Sequence, residues 1–177
     1  FSATTISTSA DGAYDIYVAD IDNDGDMDIV SASRLDDTIA LYMNNGASDP
    51  SFSSSDINNT TDGAIAVAVA DVDRNGYNDI LSAGFDDDKI QWFENSFVQS
   101  GNTTFSSTSV STSADGAHSV FAIDVDSDGD IDVLSASSSD NKIAWYENDG
   151  SESFTAGTIT TSAGSAQSVF AIDIDQD

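Results

Sequence analysis

The 177 residues carry 32 acidic side chains against 4 basic ones, a formal net charge of −28. That balance excludes electrostatic binding to nucleic acid and disfavours docking on anionic membranes. Cysteine is absent, which removes disulfides and thiolate metal sites, and no apolar run is long enough to span a bilayer.

With 39% hydrophobic residues in a regular pattern, the chain reads as folded rather than disordered. It opens on FSATTIST from Phe1, a Ser/Thr-rich segment that predicts an outer strand to about Ser7. The apolar run IYVA (16–19) predicts an inner strand buried on both faces. Next comes the acidic nonapeptide DIDNDGDMD from Asp20, then DIVSAS, a polar turn, and TIALYMN with alternating apolar and polar residues. Each of these predicts a short strand or the turn that joins two of them.

The succession then returns. Phe52, Phe105 and Phe154 restart the Ser/Thr-rich segment, and VAVA (67–70), VFAI (120–123) and VFAI (169–172) restart the inner strand. The acidic loop recurs as DVDRNGYND from Asp71 and DVDSDGDID from Asp124, and a shortened copy, DIDQD, runs from Asp173 to Asp177. DILSAG and DVLSAS follow the two complete copies, then KIQWFEN and KIAWYEN. Counted from the first Asp of a loop, a Phe stands 19 residues upstream and an Asn (Asn44, Asn95, Asn148) 24 residues downstream. All variation in repeat length falls between that Asn and the next Phe, the pattern of stacked supersecondary units with one elastic loop. Four antiparallel strands in roughly fifty residues, the innermost most apolar, predict a blade of a β-propeller. The expectation is an all-β single domain over 1–177, with repeats starting near 1, 52, 105 and 154. It comprises three nearly complete blades and part of a fourth, 14 strands in all, as a fragment of a larger, seven-bladed ring. Phe1 already lies inside a repeat, so no signal peptide is expected in these residues and further repeats are expected outside them.

Each acidic loop offers oxygen at alternate positions, the way a chain wraps a hard divalent cation such as Ca²⁺. Side-chain oxygens fall at positions 1, 3, 5 and 9: Asp20, Asp22, Asp24 and Asp28; Asp71, Asp73, Asn75 and Asp79; Asp124, Asp126, Asp128 and Asp132. Position 7 (Asp26, Tyr77, Asp130) offers its backbone carbonyl, because Tyr77 has no carboxylate to give. Asp173, Asp175 and Asp177 begin an incomplete fourth site. Gly25, Gly76 and Gly129 permit the tight turn around the ion. An EF-hand would need an acid at position 12, where Ser31, Ser82 and Ser135 stand. Asn75 removes one formal charge, so the second site is expected to be the weakest. A solvated acidic turn is the competing reading, disfavoured by three loops in strict register that would repel strongly without a cation.

The inner strand ending in ADIDNDGDMDIV, the SAS that follows and the IAWYEN strand together resemble the FG-GAP/VCBS repeat family. These are the calcium-loop repeats of integrin α-subunit propellers and of many secreted microbial proteins. The resemblance covers essentially the whole chain. It implies an extracellular or cell-surface propeller for adhesion, ligand recognition or scaffolding, with a protein or glycan ligand, neighbouring repeats as partners and no catalysis. It also implies that the loop joins the first and second strands of a blade. The fourth repeat departs from it, since Ser165 stands where Gly12, Gly63 and Gly116 do.

His118 aligns with Tyr14, Ile65 and Gln167, a variable strand-entry position that suits a strand edge better than catalysis. No cysteine nucleophile, phosphate-binding glycine loop or Ser/His/Asp set is apparent. Trp92 and Trp145 share a register with Leu41, where packing between blades is favoured over sugar stacking. Asn58, Asn59 and Asn102 head N-x-Thr sequons near expected loops or strand ends. A filament or surface-layer repeat, and a lectin-like accessory domain of a polysaccharide-degrading enzyme, are the alternative functions.

Overall fold

The computed structural model describes residues 4–98 and 102–174, which form twelve strands in three four-stranded antiparallel sheets. The first sheet holds β1 (Ala13–Ala19), β2 (Asp28–Ser33), β3 (Thr38–Asn44) and β4 (Phe52–Asn58) in chain order. The second holds β5 (Ala64–Ala70), β6 (Asp79–Gly84), β7 (Lys89–Val98) and β8 (Asn102–Ser111). The third holds β9 (Ala117–Ile123), β10 (Asp132–Ser137), β11 (Lys142–Asn148) and β12 (Phe154–Thr160). Each sheet repeats one register: Ala19 faces Asp28, Ala70 faces Asp79 and Ile123 faces Asp132, so every acidic loop closes a hairpin between first and second strands.

The sheets stack face to face, with β5 between β1 and β9. Successive residues of a strand point to opposite faces. In the middle sheet Val67, Ile80 and Phe93 therefore enter the seam with the first sheet, beside Ile21, Val30 and Leu41. Ala68, Leu81 and Trp92 enter the seam with the third, beside Val120, Val133 and Tyr146. Burial on both faces accounts for the unbroken apolar character of β5.

Two expectations are corrected here. The inner strands are not all buried on both faces: β1 has a neighbouring sheet on one side only, and Ile16 is 62% exposed. Nor are there 14 strands among the described residues. Residues 4–7 and 169–172 form none, and Phe1–Ala3 lie outside the description. A strand exists through its ladder, and neither segment has a ladder partner among the described residues. The segment 169–172 nonetheless packs on the third sheet: Val169 N donates to Ser119 Oγ at 3.3 Å, and the Phe170 ring lies 4.9 Å from that of Phe121.

At the end of the stack opposite the acidic loops, a latch joins consecutive sheets. Asp37, Asp88 and Asn141 close the turns between second and third strands in left-handed conformation, at φ of 56°, 58° and 57°. Their side-chain oxygens accept the amides of Gly63, Gly116 and Ser165 at the entrance to the next repeat, at 2.8–2.9 Å. Gly63 and Gly116 themselves sit at φ of 66° and 64°, where a side chain is strained, whereas Ser165 adopts φ 52° with a side chain present. All four basic residues lie within 4 Å of an aspartate, so the acidic surface uses every cation the chain has.

One core position differs informatively between repeats. Ser135 Oγ and Tyr146 Oη lie 3.2 Å apart, and Ser31 Oγ and Tyr42 Oη 3.5 Å apart. In the second sheet the tyrosine is Phe93, and Ser82 Oγ is buried without a hydrogen-bond partner. Phe93→Tyr is expected to supply that partner and to stabilise the fold by about 0.5–1 kcal/mol, visible as a higher melting temperature. A lower one would show that the first seam has no room for the hydroxyl.

Candidate metal centres

Each loop gathers three carboxylates. One oxygen each from Asp20, Asp22 and Asp28 lies within 4.8 Å of the other two, and the same holds for Asp71, Asp73 and Asp79 and for Asp124, Asp126 and Asp132. These are positions 1, 3 and 9. Position 1 turns one oxygen to the glycine amide of the loop: Asp20 to Gly25, Asp71 to Gly76 and Asp124 to Gly129, at 2.9–3.0 Å. The other oxygen of Asp71 and of Asp124 is buried with no hydrogen-bond partner. A buried carboxylate oxygen without a donor is costly unless a cation takes it, so the donor set fits a divalent ion.

Position 9 is a structural clamp as well. Asp28, Asp79 and Asp132 are all buried. One oxygen of each accepts the position-2 amide (Ile21, Val72, Val125) at 2.9–3.0 Å. The other accepts the amide of Asn44, Asn95 or Asn148 at 2.7–2.8 Å. Burial pushes Asp79 up to about 6, partly offset by the amides of Asn95 and Val72. Burial also raises Asp28, and it raises Asp22 with help from the neighbouring Asp24 charge.

Position 5 is placed differently from the trio. Asp24, Asn75 and Asp128 each accept the amide of position 7 (Asp26, Tyr77, Asp130) at 2.8–2.9 Å, closing the turn. The Asn75 amide group also donates to Asp73 Oδ2 and to Asn95 O, at 2.9 and 3.1 Å. Gly25, Gly76 and Gly129 have φ of 93°, 90° and 95°, as the turn requires. Asp173 lies beside the third loop, sharing a hollow with Asp124 and Ser127. Asp175 and Asp177 fall outside the described residues.

Several working residues carried no sequence signal of their role. Asn95 Nδ2 donates to Ile21 O of the first loop, and Asn148 Nδ2 to Val72 O of the second, at 2.9 and 3.1 Å. The repeating Asn is thus a staple between a strand end and the loop of the preceding sheet. The loops also touch directly. Asn23 Nδ2 donates to Gly76 O and Asn78 Nδ2 to Asp20 O, both at 2.8 Å, and Arg74 pairs with Asp130 at 3.0 Å. Asn23, Arg74 and Ser127, at position 4, adopt φ of 59°, 59° and 63° without being glycine. His118 is half-buried, edge-on to Tyr14 and Phe85 at 6.1 Å from each. Asn58 Oδ1 accepts the Thr60 amide at 2.7 Å, Asn59 is exposed, and Asn102 begins β8.

Among solved structures, the chain is similar to the Pseudomonas aeruginosa periplasmic gluconolactonase PpgL, at a TM-score of 0.54 and 17% sequence identity. The likeness covers 89% of this chain and 42% of that one, and at this identity it concerns the fold. No curated protein matches the chain. The sequence model described as FG-GAP-like repeat matches residues 20–82, 71–135 and 124–177, each match running from one acidic loop into the region of the next. With hairpin, loop and register repeated under each match, the chain belongs to the FG-GAP-like repeat family.

Proposed function

We propose that this chain is a secreted, calcium-binding β-propeller module that presents a rigid surface for adhesion or ligand recognition and performs no catalysis. The observation that carries this reading is the threefold recurrence of one carboxylate trio in one hairpin, with a donorless buried oxygen at position 1 in two of the three. A calcium ion in each complete loop takes positions 1, 3 and 9, with position 5 and the position-7 carbonyl completing an oxygen shell. The second loop binds most weakly, because Asn75 brings no charge and its amide already donates to Asp73 and Asn95. Further repeats, on the same polypeptide or a neighbouring chain, cover the exposed faces of β1 and of residues 169–174 and close the ring.

The absence of catalysis is supported by where the carboxylates sit. The grouped acids occupy ligand spacing inside hairpins, and His118 is packed between aromatic edges away from them. No helix among the described residues is long and apolar enough to cross a membrane. Extracellular or cell-surface placement is supported by the habit of the family, and the ligand on this reading is a protein or a glycan. Trp92 is buried in a seam, which weakens the lectin-like alternative at that residue.

Calorimetric titration with calcium tests the proposal. Three binding events are expected, with Asp22→Ala and Asp126→Ala each removing mainly the event of its own loop. Loops that take up no calcium at millimolar concentration overturn the reading.

A further inference from the structure

Three departures from the repeat converge on one cleft. β7 and β11 carry Trp92 and Trp145, each followed two residues on by Glu94 or Glu147, whereas β3 has Leu41 and Met43 at those positions. The β7–β8 hairpin is also longer than its counterparts, because β8 begins at Asn102, ahead of Phe105, while β4 and β12 begin at the Phe itself. Leu41, Met43 and Ile57 of the first sheet face Thr103, Thr104 and Phe105 of the second across a cleft of about 410 Å³, bordered by Asp56. At the next seam the corresponding place is filled from within. Trp92 is 1% exposed there and packs edge-on against Phe154, the register mate of Phe105, at 6.1 Å.

We propose that this cleft binds the aromatic side chain of a partner polypeptide, a tryptophan best of all. The sister seam shows the chemistry that suits the place: an indole edge-on to Phe154, the phenylalanine of the same register. Leu41 and Ile57 supply apolar walls, and the Met43 thioether adds the sulfur contact that aromatic rings favour. The Thr103 and Thr104 hydroxyls and the Asp56 carboxylate offer acceptors for an indole N–H at the rim. The volume lies in the range of about 300–1,000 Å³ usual for sites that enclose a small ligand or anchor. The net charge of −28 favours a partner whose flanking residues are cationic. None of the grouped carboxylates lines the cleft.

The test is a titration of the calcium-replete chain with N-acetyltryptophanamide, followed by NMR of the Leu41, Met43 and Ile57 methyl groups. Saturable shifts confined to these methyls are expected, with tighter binding for the tripeptide Lys-Trp-Lys. Leu41→Trp places in the first seam the indole of its sister. It is expected to keep or raise the melting temperature while weakening the probe by roughly tenfold or more, the loss typical of a blocked anchor pocket. Met43→Glu, on the rim, gives a second variant that tolerates exposure, and it too is expected to weaken the probe. Absence of saturable shifts in the unaltered chain overturns the proposal. So does undiminished binding in both folded variants, an equal response to N-acetylalaninamide, or saturation of the same methyls by a disaccharide.

Discussion

Chelation of divalent ions is expected to lower the melting temperature of this chain more than any single core substitution. An ion that binds only the folded state stabilises it by about 2.7 kcal/mol when present at a hundred times its dissociation constant. Three such sites supply about 8 kcal/mol, comparable with the whole stability of an ordinary domain at about 5–15 kcal/mol. The carboxylates left behind repel one another, and burial already disfavours charge on Asp28 and Asp79. The pH dependence carries a sign that separates this account from a general acid effect. In the metal-free chain Asp79 titrates at about 6, above its ordinary 3.8, so the folded state holds its proton more tightly than the unfolded one. That contribution is present in full below the ordinary value and is lost as pH rises through about 6. The metal-bound form runs the other way, because ligands must be ionised and affinity falls on acidification. The gap between calcium-replete and chelated melting curves is therefore expected to widen from about pH 5 to about pH 7.5. Identical curves in calcium and chelator would remove the ions from any account of stability.

Much of this architecture is legible in the residues because each repeat meets the same physical demands. Position 6 of the loop needs positive φ, and Gly25, Gly76 and Gly129 supply it. The outer strands β4, β8 and β12 lie at sheet edges, and their Ser/Thr content shows it. What is not legible depends on neighbours. The exposed face of β1 reads in sequence like the buried β5, since apolar character records the face a strand is built for rather than what covers it. The segment at 169–172 has the same composition as β9 but no second strand beside it, so its ladder is absent. At position 4 the left-handed backbone of Asn23 and Arg74 is non-glycine, and its side chains reach the next loop. Spacing alone cannot announce a contact of that kind. Nor does spacing divide labour within the acidic run. Position 9 clamps two amides, while position 5 closes a turn.

The repeating asparagine yields the second large effect, and its size is expected to depend on the repeat. Asn148 is buried; its side chain donates to Val72 O and Ile131 O, both at 3.1 Å, and accepts the Gly150 amide at 3.2 Å. Asn95 donates to Ile21 O at 2.9 Å and Asn78 O at 3.0 Å. Replacing either by leucine keeps the branched shape, strands one buried and one partly buried carbonyl and severs a loop from the next sheet. The expected cost is about 2–4 kcal/mol for each. Asn44 occupies the same register on the first sheet, where no preceding loop lies within reach among the described residues. Its side chain donates to Met27 O within its own repeat at 3.1 Å and is partly exposed. Asn44→Leu is therefore expected to cost about 1 kcal/mol or less, since water can take the place of the lost partner. Denaturant unfolding of the three variants in saturating calcium measures the order. Equal losses at all three positions would mean that the asparagine serves only its own hairpin. A loss confined to Asn95 and Asn148 would show that it carries the junction between sheets, and that the acidic loops are held from the neighbouring repeat as well as from within.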